Sequence, residues 1–66
     1  MSMPFVQVSL AAGRTPEQIR TLISELTAAV VRAVDAPAGN VRVVVTEVPP
    51  THWAAGDVTI QERTQG

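Results

Sequence analysis

The chain reads as an α+β fold built on one βαβ unit: two parallel strands, one long crossover helix and a short C-terminal hairpin. Three observations predict it. Apolar residues alternate from Phe5 to Leu10, recur at helical spacing from Ile19 to Val34, and form a valine-rich run from Val41 to Val48. Two strands joined through a helix pair in parallel, because a tight hairpin cannot connect them.

Each element carries its own signals. In the first strand Val6, Val8 and Leu10 share one face, and Phe5, Gln7 and Ser9 the other. Ala11-Ala12-Gly13-Arg14 is a short loop with a glycine for the turn. Thr15 is a good N-cap, Pro16 suits the first helical position, and Gln18 completes a capping box. The apolar stripe of Ile19, Leu22, Ile23, Leu26, Ala29, Val30, Ala33 and Val34 leaves Glu17, Arg20, Glu25 and Arg32 outside it. Pro37 ends the helix near Asp35 by disfavouring the helical conformation at Ala36. In the second strand Val43-Val44-Val45 is apolar on both faces and asks for cover on both. One helix covers one face, so the other is expected to meet another subunit. Pro49-Pro50 ends that strand, and a loop to Asp57 carries His52, Trp53 and Gly56. Val58 to Ile60 is a short strand or part of a hairpin, and residues 61–66 are expected to be a frayed tail.

Size and composition narrow the function. With 66 residues there is one domain, which buries only about 60% of its unfolded surface and is marginal alone. No cysteine is present, which removes disulfides, thiolate metal sites and a cysteine nucleophile; one histidine, His52, makes a poor metal site. No metal and no cofactor is expected, and oligomerisation is the remaining source of stability. Five arginines, no lysine and six acids give a net charge of −1, unlike a phosphate-backbone binder, so no nucleic-acid partner is expected. Neither a membrane-spanning run nor the pattern of a signal peptide is visible, and the expected location is the cytoplasm.

Few residues carry chemistry. There is no Ser-His-Asp pattern, H-E-x-x-H, P-loop or dinucleotide fingerprint. Glu17 and Glu25 read as solvated or helix-end charges. Arg42 interrupts a valine-rich strand and needs a reason, since an unpaired buried charge is costly. Two readings stand: an inter-subunit ion pair with Glu47 or Asp57, or a carboxylate clamp using the guanidinium fork. Arg14, in the loop after the first strand, shares the second reading. Trp53, one of two aromatic residues, is either an interface plug or the apolar wall of a pocket.

Together these residues resemble the 4-oxalocrotonate tautomerase family. The resemblance runs from Pro4 to about Gly56 through Met3-Pro4-Phe5-Val6-Gln7-Val8, Gly13-Arg14-Thr15 with Glu17-Gln18, Asp35-Ala36-Pro37, Val41-Arg42-Val43, Thr46-Glu47 and His52-Trp53. It implies the same βαβ fold, assembled as a homohexamer, a trimer of dimers. It also implies an isomerase that moves a proton on a 2-hydroxydienoate or related 2-oxo acid, a small-molecule carboxylate. Pro4 matches the family's amino-terminal proline, whose secondary amine is the general base. Arg14 matches the arginine that binds a substrate carboxylate, and Arg42 the one that binds and polarises the carbonyl end. Trp53 stands where the family has an aromatic that keeps the pocket apolar, and Ala11 where it often has a larger apolar residue at the pocket edge.

The physical chemistry suits those roles. A free α-amine titrates near 7.7–8.0, and burial beside cations moves that value toward neutrality, where a base is efficient. Two arginines also favour the dienolate charge that develops as the proton moves. Two departures stand out: Gly56-Asp57 replaces a usual glycine pair, and Met1-Ser2-Met3 precede Pro4 as an N-terminal extension. Acylated by Met3, the Pro4 nitrogen is an amide and no base, so the enzymatic reading requires initiation at Met3 or trimming. The alternative is a family member without proline-based catalysis, acting as an anion-binding or structural oligomer.

Overall fold

The structure is a computed structural model that describes residues 3–65. Met1 and Ser2 of the extension, and Gly66 of the tail, lie outside the described residues. Strand β1 (Phe5–Ala11) leads into helix α1 (Pro16–Val34), and strand β2 (Arg42–Val48) returns parallel to β1. The register runs from Phe5↔Arg42 through Val8↔Val45 to Ala11↔Val48. The Arg42 amide donates to the Pro4 carbonyl at 3.0 Å, and the Ala12 amide to the Val48 carbonyl at 2.8 Å, so the ladder is closed at both ends.

Helix α1 starts as its sequence directs. The Gln18 amide donates to Thr15 Oγ1 at 3.1 Å, and the Thr15 amide to Gln18 Oε1 at 2.9 Å, which satisfies two otherwise orphan donors. It ends at Asp35 in the left-handed region (φ 56°), whose amide closes back on the Val31 carbonyl at 3.0 Å. Ala36, between that turn and Pro37, is 3% exposed and is the one buried hydrophobic among the described residues.

The helix covers one face of the sheet. Val6, Val8 and Leu10 of β1, and Val43 and Val45 of β2, are half-buried, while Phe5, Gln7, Ser9, Arg42, Val44 and Thr46 are exposed on the other face. Phe5 is 61% exposed and Val44 43%. The stripe on α1 is covered from Ile19 to Val31, but Ala33 and Val34 are exposed, Val34 by 53%. The reason is length. Nineteen helical residues span about 28 Å, whereas seven strand residues span roughly 20 Å, so the last turn overhangs the sheet.

The shape reflects the thin construction: 47 × 25 × 14 Å, with a radius of gyration of 15.1 Å. A compact chain of this length has a radius of about 11 Å. No helix among the described residues is long and apolar enough to cross a membrane.

The C-terminal region corrects one expectation. Ala54–Ala55 (β3) and Val58–Thr59 (β4) form an antiparallel hairpin, and Ile60 together with residues 61–65 of the expected frayed tail forms helix α2 (Ile60–Gln65). The helix starts at a second capping box, in a segment too short and polar to show helical periodicity. The Glu62 amide donates to Thr59 Oγ1 at 3.1 Å, and the Thr59 amide to Glu62 Oε1 at 2.8 Å. Arg63 Nη2 donates to the Ala55 carbonyl at 3.2 Å and ties the helix to the hairpin. Thr59→Ala removes the cap and is expected to cost about 1 kcal/mol, read as faster amide exchange in α2 and a lower Tm at fixed protein concentration.

Candidate active site

The parallel register divides the expected site residues between the two ends of the strand pair. Pro4 immediately precedes β1 and Arg42 opens β2, so both lie at one end, joined through the backbone bond from Arg42 to the Pro4 carbonyl. Pro4 is half-buried. The Arg42 guanidinium donates from Nη1 to the Gly39 carbonyl at 3.0 Å. That carbonyl belongs to the 3-10 turn Ala38–Asn40, which the preceding Pro37 sets in place. Neither Glu47 nor Asp57 pairs with Arg42 within the chain.

Arg14, Ala11 and Trp53 belong to the opposite end. Ala11 is the last residue of β1 and half-buried. Gly13 then takes φ 126°, a conformation that side-chain-bearing residues rarely adopt. This turn delivers Arg14 to the N-terminal end of α1, where it lines an open cleft of about 380 Å³ with Pro16, Ile19, Arg20, Ile23 and Glu47.

Trp53 follows β2 by way of Pro49 and the 3-10 turn Pro50–His52, and is 37% exposed. Its carbonyl accepts from the Ile60 amide at 2.9 Å, which fastens it to the base of the hairpin. The Gly56-Asp57 departure keeps that hairpin intact. Both residues have positive φ, 59° and 66°, as a two-residue type I′ turn requires. Aspartate tolerates the left-handed region better than most residues, so the second glycine is dispensable there.

Pro4 and Arg14 are therefore separated by the whole of β1, about 20 Å along the strand. One chain brings Pro4 and Arg42 to one end, and Arg14, Ala11 and Trp53 to the other; it does not join the two sets. Arg20 and Glu47 are cleft residues that sequence reading missed. Arg20 is exposed, as its place outside the apolar stripe predicts, and Glu47, a candidate partner of Arg42 in the sequence, has no signal linking it to Arg14. Its place opposite Leu10 in the register, at the end of the helix-covered face, emerges only from the pairing. Among the described residues no group of three His, Asp or Glu side chains is arranged to hold a metal ion.

A thin βαβ unit with a proline heading its first strand and arginines at both ends of the sheet is the arrangement to set beside known proteins. The tautomerase enzyme family profile matches residues 4–63, beginning at Pro4. The 2-hydroxymuconate tautomerase of Comamonas testosteroni is 42% identical over 60 residues, covering 91% of this chain and 95% of that protein. That of Stutzerimonas stutzeri is 44% identical over 54 residues, covering 82% and 86%. Among solved structures, TomN, a 4-oxalocrotonate tautomerase homologue in the tomaymycin biosynthetic pathway, superposes with a TM-score of 0.93. Its identity is 36%, over 96% of this chain and 97% of TomN. A heterohexameric 4-oxalocrotonate tautomerase from Chloroflexus aurantiacus gives 0.87 at 38% identity, over 91% of this chain and 97% of that one. The chain belongs to the 4-oxalocrotonate tautomerase family and is an enzyme of the tautomerase, or isomerase, class.

The hairpin analysis yields a test through the single tryptophan. Gly56→Val forces a β-branched residue into positive φ and is expected to cost about 1–2 kcal/mol. Trp53 emission should shift to longer wavelength as the hairpin loosens, while Asp57→Gly leaves it unchanged.

Proposed function

We propose that the chain catalyses enol–keto tautomerisation of a small 2-hydroxydienoate, with Pro4 as the general base once its nitrogen is free. The observation that carries this reading is the place of Pro4: first residue of the tautomerase match, at the head of β1 and beside Arg42. The neutral secondary amine takes the proton of the 2-hydroxyl group; the electron pair left on oxygen becomes the carbonyl and the double bonds shift along the chain. The protonated amine then returns the proton to carbon, so nothing is consumed. Arg42 holds the carbonyl end and stabilises negative charge on its oxygen, Arg14 binds a carboxylate, and Trp53 and Ala11 shape an apolar wall that excludes water.

Such a site needs more than one chain, because β1 separates Pro4 from Arg14. The exposed sheet face of Phe5 and Val44, and a single buried hydrophobic among the described residues, support a self-associating protein. The heterohexamer among the structural relatives makes a hexameric arrangement the one to test first. A homohexamer built as a trimer of dimers supplies both faces from identical chains.

A second reading rests on the extension. While Met3 acylates Pro4 the nitrogen is an amide, and the assembly is an anion-binding or structural oligomer. Two preparations separate the readings, one retaining Met1 and one starting at Pro4. The Pro4 form is expected to turn over 2-hydroxymuconate, with kcat/KM falling as pH drops below the pKa of its amine. The Met1 form should be slower by about 10²–10⁴-fold, the range of a lost general base. Equal activity in both forms refutes the proline mechanism.

A mixing experiment tests the divided site. Chains with a blocked Pro4, and chains carrying Arg14→Gln with a free Pro4, are each expected to be nearly inactive. Unfolded together and reassembled, they should regain activity, because some sites then combine a free Pro4 with an intact Arg14. No recovery in assembled mixtures contradicts a site shared between chains.

A further inference from the structure

We propose that Arg20 is a second anion-binding residue beside Arg14 and that it selects substrates carrying a carboxylate at the end distant from the enol. The inference rests on the reading of Arg14 as a carboxylate ligand and extends it to a residue outside the family resemblance drawn above. Four observations support it.

Arg14 and Arg20 line the same cleft, whose volume of about 380 Å³ suits a small ligand. The floor is apolar, made by Pro16, Ile19 and Ile23, and offers a ligand's carbon chain a surface to lie on while its charged end meets the arginines. The cleft holds two guanidiniums against one carboxylate, Glu47, and among the described residues neither arginine is taken up by an ion pair. Finally, Arg20 is held in place: its Nη1 donates to Ser24 Oγ at 2.8 Å, one helical turn on. That bond uses one N–H and leaves the others of the fork for a ligand.

A carboxylate in this cleft takes a bidentate pair of bonds from one arginine and further N–H donors from the other. Glu47 offsets part of the positive charge and leaves an excess of one. A neutral or apolar substrate end gains nothing from Arg20 and leaves its guanidinium unpaired. Arg20 therefore discriminates between dicarboxylate and monocarboxylate dienols, acting on binding of the remote end and not on proton transfer. It is a specificity-determining residue.

The test uses the assembled protein starting at Pro4, with Arg20→Gln and Arg20→Lys variants. The substrates are 2-hydroxymuconate, with two carboxylates, and 2-hydroxy-2,4-pentadienoate, with one. Arg20→Gln is expected to lower kcat/KM for the dicarboxylate about 10- to 100-fold, mainly through KM, the size of a lost charge-assisted contact. The monocarboxylate should change by less than about twofold, and Arg20→Lys should recover part of the loss. Equal losses on both substrates, or none on either, overturn the proposal.

Binding of cis,cis-muconate and of sorbate, neither of which has an enol to tautomerise, is measured in parallel by calorimetry. If the wild-type protein turns over neither dienol, the tautomerase mechanism fails while the calorimetry still decides on Arg20. Preference for muconate that disappears in Arg20→Gln sustains the proposal; no preference in the wild-type protein refutes it.

Discussion

Parallel pairing of β1 with β2, in register from Phe5↔Arg42 to Ala11↔Val48, is the constraint on which the rest of the structure depends. Parallel strands begin at the same end, so the chain must cross back over the sheet between them, and α1 is that crossover. The same geometry puts everything that precedes the strands at one end and everything that follows them at the other. Pro4 and Arg42 are thereby companions, as are Arg14 and Trp53. No rotation of side chains exchanges members of the two sets across some 20 Å of strand.

A second consequence is that the fold leaves its own work unfinished. One helix covers one face, and the opposite face presents Phe5 and Val44 between the polar side chains of Gln7, Ser9, Arg42 and Thr46. With Ala36 the one buried hydrophobic described, the chain has half-covered surfaces in place of a closed core. In the proposed assembly, association supplies the missing apolar contacts and completes the site as well. Stability and catalysis are then coupled, since what disperses the subunits also separates the base from the carboxylate ligand.

Local rules govern the joints. Two capping boxes, Thr15 with Gln18 and Thr59 with Glu62, start α1 and α2, and residues with positive φ shape the turns around them. Gly13 reverses the chain into α1, Asp35 closes that helix, and Gly56-Asp57 make the hairpin. The first capping box was legible because a long apolar stripe follows it. The second went unread because Gln61 to Gln65 offers no stripe, yet the chemistry of the cap is the same.

The sequence by itself determined the βαβ order, the strand faces, the limits of α1 and the family, because each rests on spacing within a few residues or on residue types along nearly the whole chain. It also marked Arg14, Arg42 and Trp53 as the residues whose chemistry wanted explaining, and the family resemblance added Pro4. Only the tertiary structure decided how they are distributed. Register is a long-range property, and it alone places Glu47 opposite Leu10, at the cleft shared by Arg14 and Arg20. The exposure of Val34 likewise follows from the mismatch between a helix of 19 residues and strands of seven, which no local pattern encodes.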